Sequence, residues 1–165
     1  MSTSGEKESR FMAIVSDNRP MIYKVCYMYA SDPEELNDLY QEVLANLWQG
    51  LDSYRGDSRM STWIYRVAFN TCVTYIRHNA KHGNGRVALD DVTDVQWEDS
   101  GRGEKLRHMY RLISCLDNMD KAIILMWLDE KSYEEISELT GLPRNTVATR
   151  LHRIKQKLTE RNKDE

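Results

Sequence analysis

The sequence predicts an all-α chain: two small helical domains joined by a flexible acidic linker, with a helix-turn-helix in the second. Three observations predict it. Leu36, Leu39, Tyr40, Val43, Leu44, Leu47, Trp48 and Leu51 recur at the helical period of about 3.6 residues. Residues 80–104, AKHGNGRVALDDVTDVQWEDSGRGE, are the weakest for regular structure: Gly83, Gly85, Gly101 and Gly103 bracket Asp90, Asp91, Asp94, Glu98 and Asp99. Ser132 to Leu158, SYEEISELTGLPRNTVATRLHRIKQKL, then reads as helix, short turn, helix. The expected boundaries are a disordered N-terminus at 1–10, a first domain at 11–80, the linker at 81–104 and a second domain at 105–165.

Each element has its own justification. MSTSGEKESR at 1–10 is small and polar, with nothing to bury. From Phe11 to about Ala30, Met12, Val15, Ile22, Val25, Cys26 and Tyr29 supply an apolar face, with Pro20 as a candidate break into two pieces. Ser31-Asp32-Pro33-Glu34 is a helix start: capping oxygens, a proline near the first helical position, then acids suited to the positive end. In the helix that follows, Asp38, Gln41, Glu42, Ala45 and Gln49 form a second face, acidic and amide-rich, which either meets a partner or is simply solvated. Tyr54-Arg55-Gly56-Asp57-Ser58 is a short loop of turn-forming residues.

A third helix runs from Met60 or Ser61 to His78. Trp63, Ile64, Val67, Ala68, Thr71, Cys72, Tyr75 and Ile76 are expected inward, and Arg66, Asn70, Thr74, Arg77 and His78 outward, while Tyr65 and Phe69 fit neither face cleanly. Polar side chains beside a glycine-containing loop can hold an unstacked base. In the linker, Val92, Val95 and Trp97 offer sticky points, and its acids either occupy a nucleic-acid channel or are solvated. Leu106–Leu116 and Lys121–Leu128 are further helical patterns, with Asp117 to Asp120 as turn and cap between them. With the helix-turn-helix they make a four-helix second domain.

Within that final stretch Ser132 is the expected N-cap, with Glu134 and Glu135 in the first turn. Gly141 tolerates positive φ, and Pro143 suits the start of a new helix. On the second helix Val147, Leu151, Ile154 and Leu158 fall on one line, a buried face. Opposite lie Asn145, Thr149, His152 and Gln156, flanked by Arg153, Lys157 and Lys155: side chains that read base edges or grip phosphates. A lone helix of this kind reads first as an ordinary surface helix with a solvated basic face. Joined to the turn and the acidic helix before it, it points to DNA.

A formal net charge of −3 looks wrong for a nucleic-acid binder, but the charge is segregated. Residues 32–52 carry Asp32, Glu34, Glu35, Asp38, Glu42 and Asp52 without a Lys or Arg. Residues 144–163 carry Arg144, Arg150, Arg153, Lys155, Lys157, Arg161 and Lys163 against Glu160 alone. Separate segments are thus suited to separate partners. Cys26, Cys72 and Cys115 are far apart and lie among apolar neighbours, so they are expected to be small buried hydrophobes in a reducing compartment. His78, His82, His108 and His152 are not grouped as ligands, and no metal or cofactor is expected. There is no apolar N-terminal run and no stretch of about 18 apolar residues, so a cytoplasmic protein without membrane insertion is expected. The chain holds no P-loop, GxSxG or HExxH motif, and no enzyme is expected.

Three segments, DLYQEVLANLW at 38–48, YRGDSRMSTWIYRVAFNT at 54–71 and SYEEISELTGLPRNTVATRLHRIKQKL at 132–158, occur in the order found in a bacterial family. The chain resembles an extracytoplasmic-function (ECF) sigma factor of the sigma-70 family, over nearly everything from Tyr23 to Leu158. The resemblance implies docking of Asp38, Gln41 and Glu42 on the β′ clamp helices of core RNA polymerase, with the β flap as a further partner surface. It implies capture of the −10 element, one base flipped and the strand open, by Tyr54, Arg55, Gly56, Asp57 and Ser58 with Asn70, Thr74 and Arg77. It implies readout of the −35 duplex by Arg144, Thr146, Ala148, Thr149, His152 and Arg153, to which the helical wheel adds Asn145, Gln156 and Lys157. An anti-sigma factor is a further implied partner.

Two departures stand out. Ala148 occupies a slot that is basic in many members, and the arginine run common after the −10 reader is reduced to Arg77, His78, Lys81 and His82. The competing reading is a conventional helix-turn-helix regulator that binds duplex DNA without joining polymerase. It would explain the C-terminal domain, but not DLYQE or the RGDS–TWIYR segment.

Overall fold

The structure, a computed structural model, describes residues 3–79 and 102–164. Among the described residues there are seven α-helices, a single 3-10 turn and no strand: α1 (Ser4–Tyr29), α2 (Pro33–Gly50), the 3-10 turn Leu51–Ser53, α3 (Met60–Asn79), α4 (Arg102–Ser114), α5 (Asn118–Leu128), α6 (Tyr133–Thr140) and α7 (Arg144–Asp164). The chain divides into two compact units, one built on α1–α3 and the other on α4–α7. Most of the expected linker, including Gly83, Gly85, Gly101 and its acids, lies outside the described residues, although α4 begins at Arg102, inside the expected linker.

In the first unit, Ile22, Val25 and Cys26 of α1 meet Leu36, Leu39, Val43 and Leu47 of α2 and Ile64, Ala68 and Cys72 of α3, all essentially without exposure. Each Val, Leu or Ile among them contributes about 1.5–3 kcal/mol relative to exposure. Tyr65 and Phe69 join this core, stacked at 5.5 Å, and Tyr29 meets Phe69 edge-on at 6.0 Å. Trp63, expected in the core, is only half-buried.

Two expectations for α1 fail. The first ten residues are not disordered where described, because the helix starts at Ser4. Thr3 and Glu6 form a reciprocal capping box, Lys7 pairs with Asp52 at 2.9 Å and lies 4.2 Å over the Trp48 ring, and Phe11 meets that indole edge-on at 5.2 Å. Nor does Pro20 break the helix. Pro20 and Ser16 are both exposed, so water can reach the carbonyl that a proline leaves without an amide donor.

In the second unit α5 is the centre: Asp120 through Met126 are all buried, as a helix packed on every side requires. Around it lie Ile113 and Leu116, Ile136 of α6, and Val147, Leu151 and Ile154 of α7, the predicted inner line. Leu158 closes that line half-buried. Cys26 and Cys72 are buried as expected, but Cys115, just past the end of α4, is exposed while the next residue, Leu116, turns into the core.

Candidate nucleic-acid and polymerase interfaces

The acidic face of α2 is built by the helix period alone. Leu36, Leu39, Val43 and Leu47 point into the core, which turns Asp38, Gln41, Glu42, Ala45 and Gln49 outward, and all five are exposed. Glu34 and Glu35 in the first turn sit where the helix dipole favours them.

After α2 the chain turns through Leu51–Ser53 into the loop at 54–58. Gly56 has φ +80°, a conformation that a side chain would strain. The Tyr54 hydroxyl donates to the Ser58 carbonyl across the loop, and the Tyr54 ring lies 5.2 Å from that of Trp63. A Cβ on Gly50 would come within 3.2 Å of the same indole, so α2 ends pressed on Trp63. Tyr54 and Ser58 are therefore half-buried, and Arg55, Gly56 and Asp57 form the exposed rim.

Asn70, Thr74, Arg77 and His78 are exposed along α3, as expected. They do not converge on the loop: Met60 to Arg77 spans roughly 25 Å at about 1.5 Å per residue. Asn70, Thr74 and His78 instead border an open groove of about 420 Å³, completed by Glu42 and Asn46 of α2. On its α2 side Asn46 Nδ2 donates to Thr71 Oγ1 at 2.9 Å, and that hydroxyl donates to the Val67 carbonyl at 2.7 Å. Glu42 thus stands beside the strip on α3. Sequence reasoning placed Thr71 inward but missed its partner Asn46, whose only signal is that it lies one helical turn after Glu42.

The helix-turn-helix forms as its residues dictate. Ser132 caps α6, accepting from the Glu135 amide at 3.1 Å, and Gly141 ends it in the left-handed region at φ +76°. The Ser137 hydroxyl donates to the Leu142 carbonyl, fixing the turn. On α7, Asn145, Thr149, His152, Arg153, Gln156 and Lys157 are exposed, and Thr146 and Ala148 are half-buried. The Thr149 hydroxyl donates back to the Asn145 carbonyl at 2.9 Å, which commits its hydrogen and leaves its lone pairs outward.

Part of the basic run serves internal contacts. Arg144 Nε lies 2.6 Å from Glu134 Oε1, with its guanidinium 5.5 Å from the Tyr133 ring centre. The Glu134 carboxyl is held below its usual range by the backbone amide and then by Arg144. Lys155 lies 3.8 Å over the Trp127 ring, and Arg150 turns toward Asp117 and Asp120. Arg153 and Lys157 remain exposed on the outward side of α7. Among the described residues no group of three or more His, Cys, Asp or Glu could hold a metal, and no helix is long and apolar enough to cross a membrane.

Family models match twice: sigma-70 region 2 over residues 14–82 and sigma-70 region 4 over residues 106–158. The ECF RNA polymerase sigma-E factor of Escherichia coli K12 is 32% identical over 139 residues, covering 74% of this chain and 71% of its own. The chain belongs to the ECF sigma factors. The ECF sigma factor SigW of Bacillus subtilis is 28% identical over 170 residues, covering 95% of this sigma factor and 91% of its own length. Two solved structures share the fold at a TM-score of 0.69. CnrH, in complex with the cytosolic domain of CnrY, is 16% identical and covers 96% of this chain and 90% of its own. RpoE of Bartonella quintana, with the anti-sigma factor NepR, is 18% identical and covers 93% and 94%. This is a sigma factor for RNA polymerase and not a free-standing helix-turn-helix regulator.

Proposed function

We propose a division of labour in which α2 holds polymerase, the 54–58 loop with α3 holds the melted −10 strand, and α7 reads the −35 duplex. The observation that carries it is the pairing of two amphipathic helices with outward faces of opposite character. Asp38, Gln41 and Glu42 on α2 suit a basic protein surface, the β′ clamp helices; α7 offers Arg153, His152, Lys157 and amide groups, which suit base edges and phosphates. The strip from Tyr54 to Arg77 matches an extended single strand better than one pocket. Strand opening then runs on binding energy, with base capture offsetting an unstacking cost of a few kcal/mol. On this reading the protein catalyses no reaction of its own, works in the cytoplasm and contacts the β flap through its second unit. An anti-sigma partner is supported by both structural neighbours, each solved with a bound partner, one of them an anti-sigma factor.

The test is run-off transcription with purified protein and core polymerase, followed by mapping of start sites genome-wide. Shared elements at fixed −10 and −35 distances are expected. Start sites without a common upstream element would overturn the assignment of α7 and the loop.

A further inference from the structure

Arg150 lies in the middle of the recognition helix, one residue from the outward Thr149 and one from the buried Leu151, in the most basic stretch of the chain. Its guanidinium is nonetheless committed to a helix outside the helix-turn-helix. Nε lies 3.1 Å from Asp120 Oδ1 and Nη2 lies 3.6 Å from Asp117 Oδ2. Asp117 is also the N-cap of α5, where its Oδ1 accepts the Asp120 amide at 2.8 Å. One pair of carboxylates therefore starts α5 and grips α7. The Asp120 side chain keeps only 8% of its exposure and that of Arg150 keeps 32%, so the contact to Asp120 is covered, while Asp117, 61% exposed, adds a longer contact at the surface.

We propose that Arg150 is a positioning residue for DNA readout: by forking onto the N-terminus of α5 it sets the rotation of α7 about its own axis. This rests on the reading that α7 recognises the −35 duplex. The apolar line Val147–Leu151–Ile154 seats α7, and the hydrogen bond from Arg150 Nε to Asp120 Oδ1 at 3.1 Å adds a directional tie to that seat, with Asp117 contributing charge at 3.6 Å. The tolerance is small. A roll of about 20° moves a side chain at the helix surface, some 5–6 Å from the axis, by roughly 2 Å. That is enough to lose a hydrogen bond with a working range of about 2.7–3.2 Å. His152 and Arg153, two and three residues on, would lose their aim while α7 stayed packed.

The test uses holoenzyme carrying the full-length protein, on promoter duplexes from the mapped start sites and on the same duplexes with the −35 hexamer scrambled. Affinity ratios are measured over a salt series, with folded fraction followed by circular dichroism. Arg150→Gln is expected to lower the cognate-to-scrambled ratio about tenfold without changing the salt slope. Asp120→Asn, which removes a carboxylate that could not bind phosphate, should lower the ratio in the same direction. Arg150→Lys, which restores charge without the fork, should recover it only in part. An equal loss on both duplexes with the slope reduced by about one would make Arg150 a phosphate contact and overturn the proposal. An unchanged ratio in Asp120→Asn, or a reduced melting temperature with the ratio intact, would also overturn it. Should Arg150→Gln unfold the unit, full discrimination by Arg150→Lys would decide against it. A wild-type protein indifferent to the −35 hexamer would instead bring down the readout assignment itself, and this proposal with it.

Discussion

The helices α2 and α7 follow the same plan, one apolar line inward and polar residues outward, yet they treat their charges differently. On α2 the acids Asp38 and Glu42 stand exposed on the side away from the core. On α7 three of the cations that define the basic run are engaged internally: Arg144 with Glu134, Arg150 with Asp117 and Asp120, Lys155 over Trp127. The lesson is that a run of like charge along a sequence overstates the charge offered to a partner. An arginine can be part of the scaffold that aims its neighbours.

That contrast can be broken by experiment. The largest effect is expected from reversing charge on α2: Asp38→Arg or Glu42→Arg should weaken holoenzyme assembly by about 2–3 kcal/mol, roughly 30- to 150-fold, by fluorescence anisotropy with core polymerase. Assembly at wild-type affinity would reduce that face to plain solvation. Next comes Arg153→Ala, expected to cost about 1–3 kcal/mol at one base position of the −35 element. A loss spread evenly over all sequences would mark a phosphate contact instead.

A smaller effect concerns pH. Burial, and then the neighbouring Asp117, raises the Asp120 carboxyl above its ordinary range despite the opposing pull of Arg150. A raised folded-state value means that the folded unit binds the proton more tightly than the unfolded chain. This contribution to stability is therefore present below the unfolded value and lost as pH rises through the folded one. Melting curves of the wild type should show it in the window just above the normal aspartate range, and Asp120→Asn should flatten it. An identical pH profile in the variant would place the titration elsewhere. The smallest effect belongs to Arg144→Ala. With the arginine and Glu134 both well exposed, its loss should leave the chemical denaturation midpoint close to that of the wild type.

The helix-turn-helix was legible because its signals are local: a capping serine, a glycine that must take positive φ, and an apolar line facing a single neighbour. The groups engaging Arg144 and Arg150 lie 10 and 30 residues away, and no helical period reports them. Tyr65 and Phe69 could not be placed because α3 buries a broader arc than one stripe, which leaves the wheel no clear edge. The docked N-terminus was invisible for a related reason. It is held by Lys7, a charged residue whose partner Asp52 is 45 positions away, and by an indole that covers its aliphatic stem. Where polymerase and each promoter element sit was read from the family resemblance. Exposure on the right faces agrees with those roles but does not assign them.

The seat of Trp63 has an optical consequence. Its indole lies against the Tyr54 ring at the base of the loop, while Trp48 lies under Lys7 at the end of α2 and Trp127 under Lys155 beside α7. Three separate contacts, at the loop, between α1 and α2 and between α5 and α7, therefore each hold a native fluorophore, and single-tryptophan versions should let the three be followed separately on one unlabelled protein. Trp63 emission that stayed unchanged while a −10 single strand bound would show that the loop takes no part in the event.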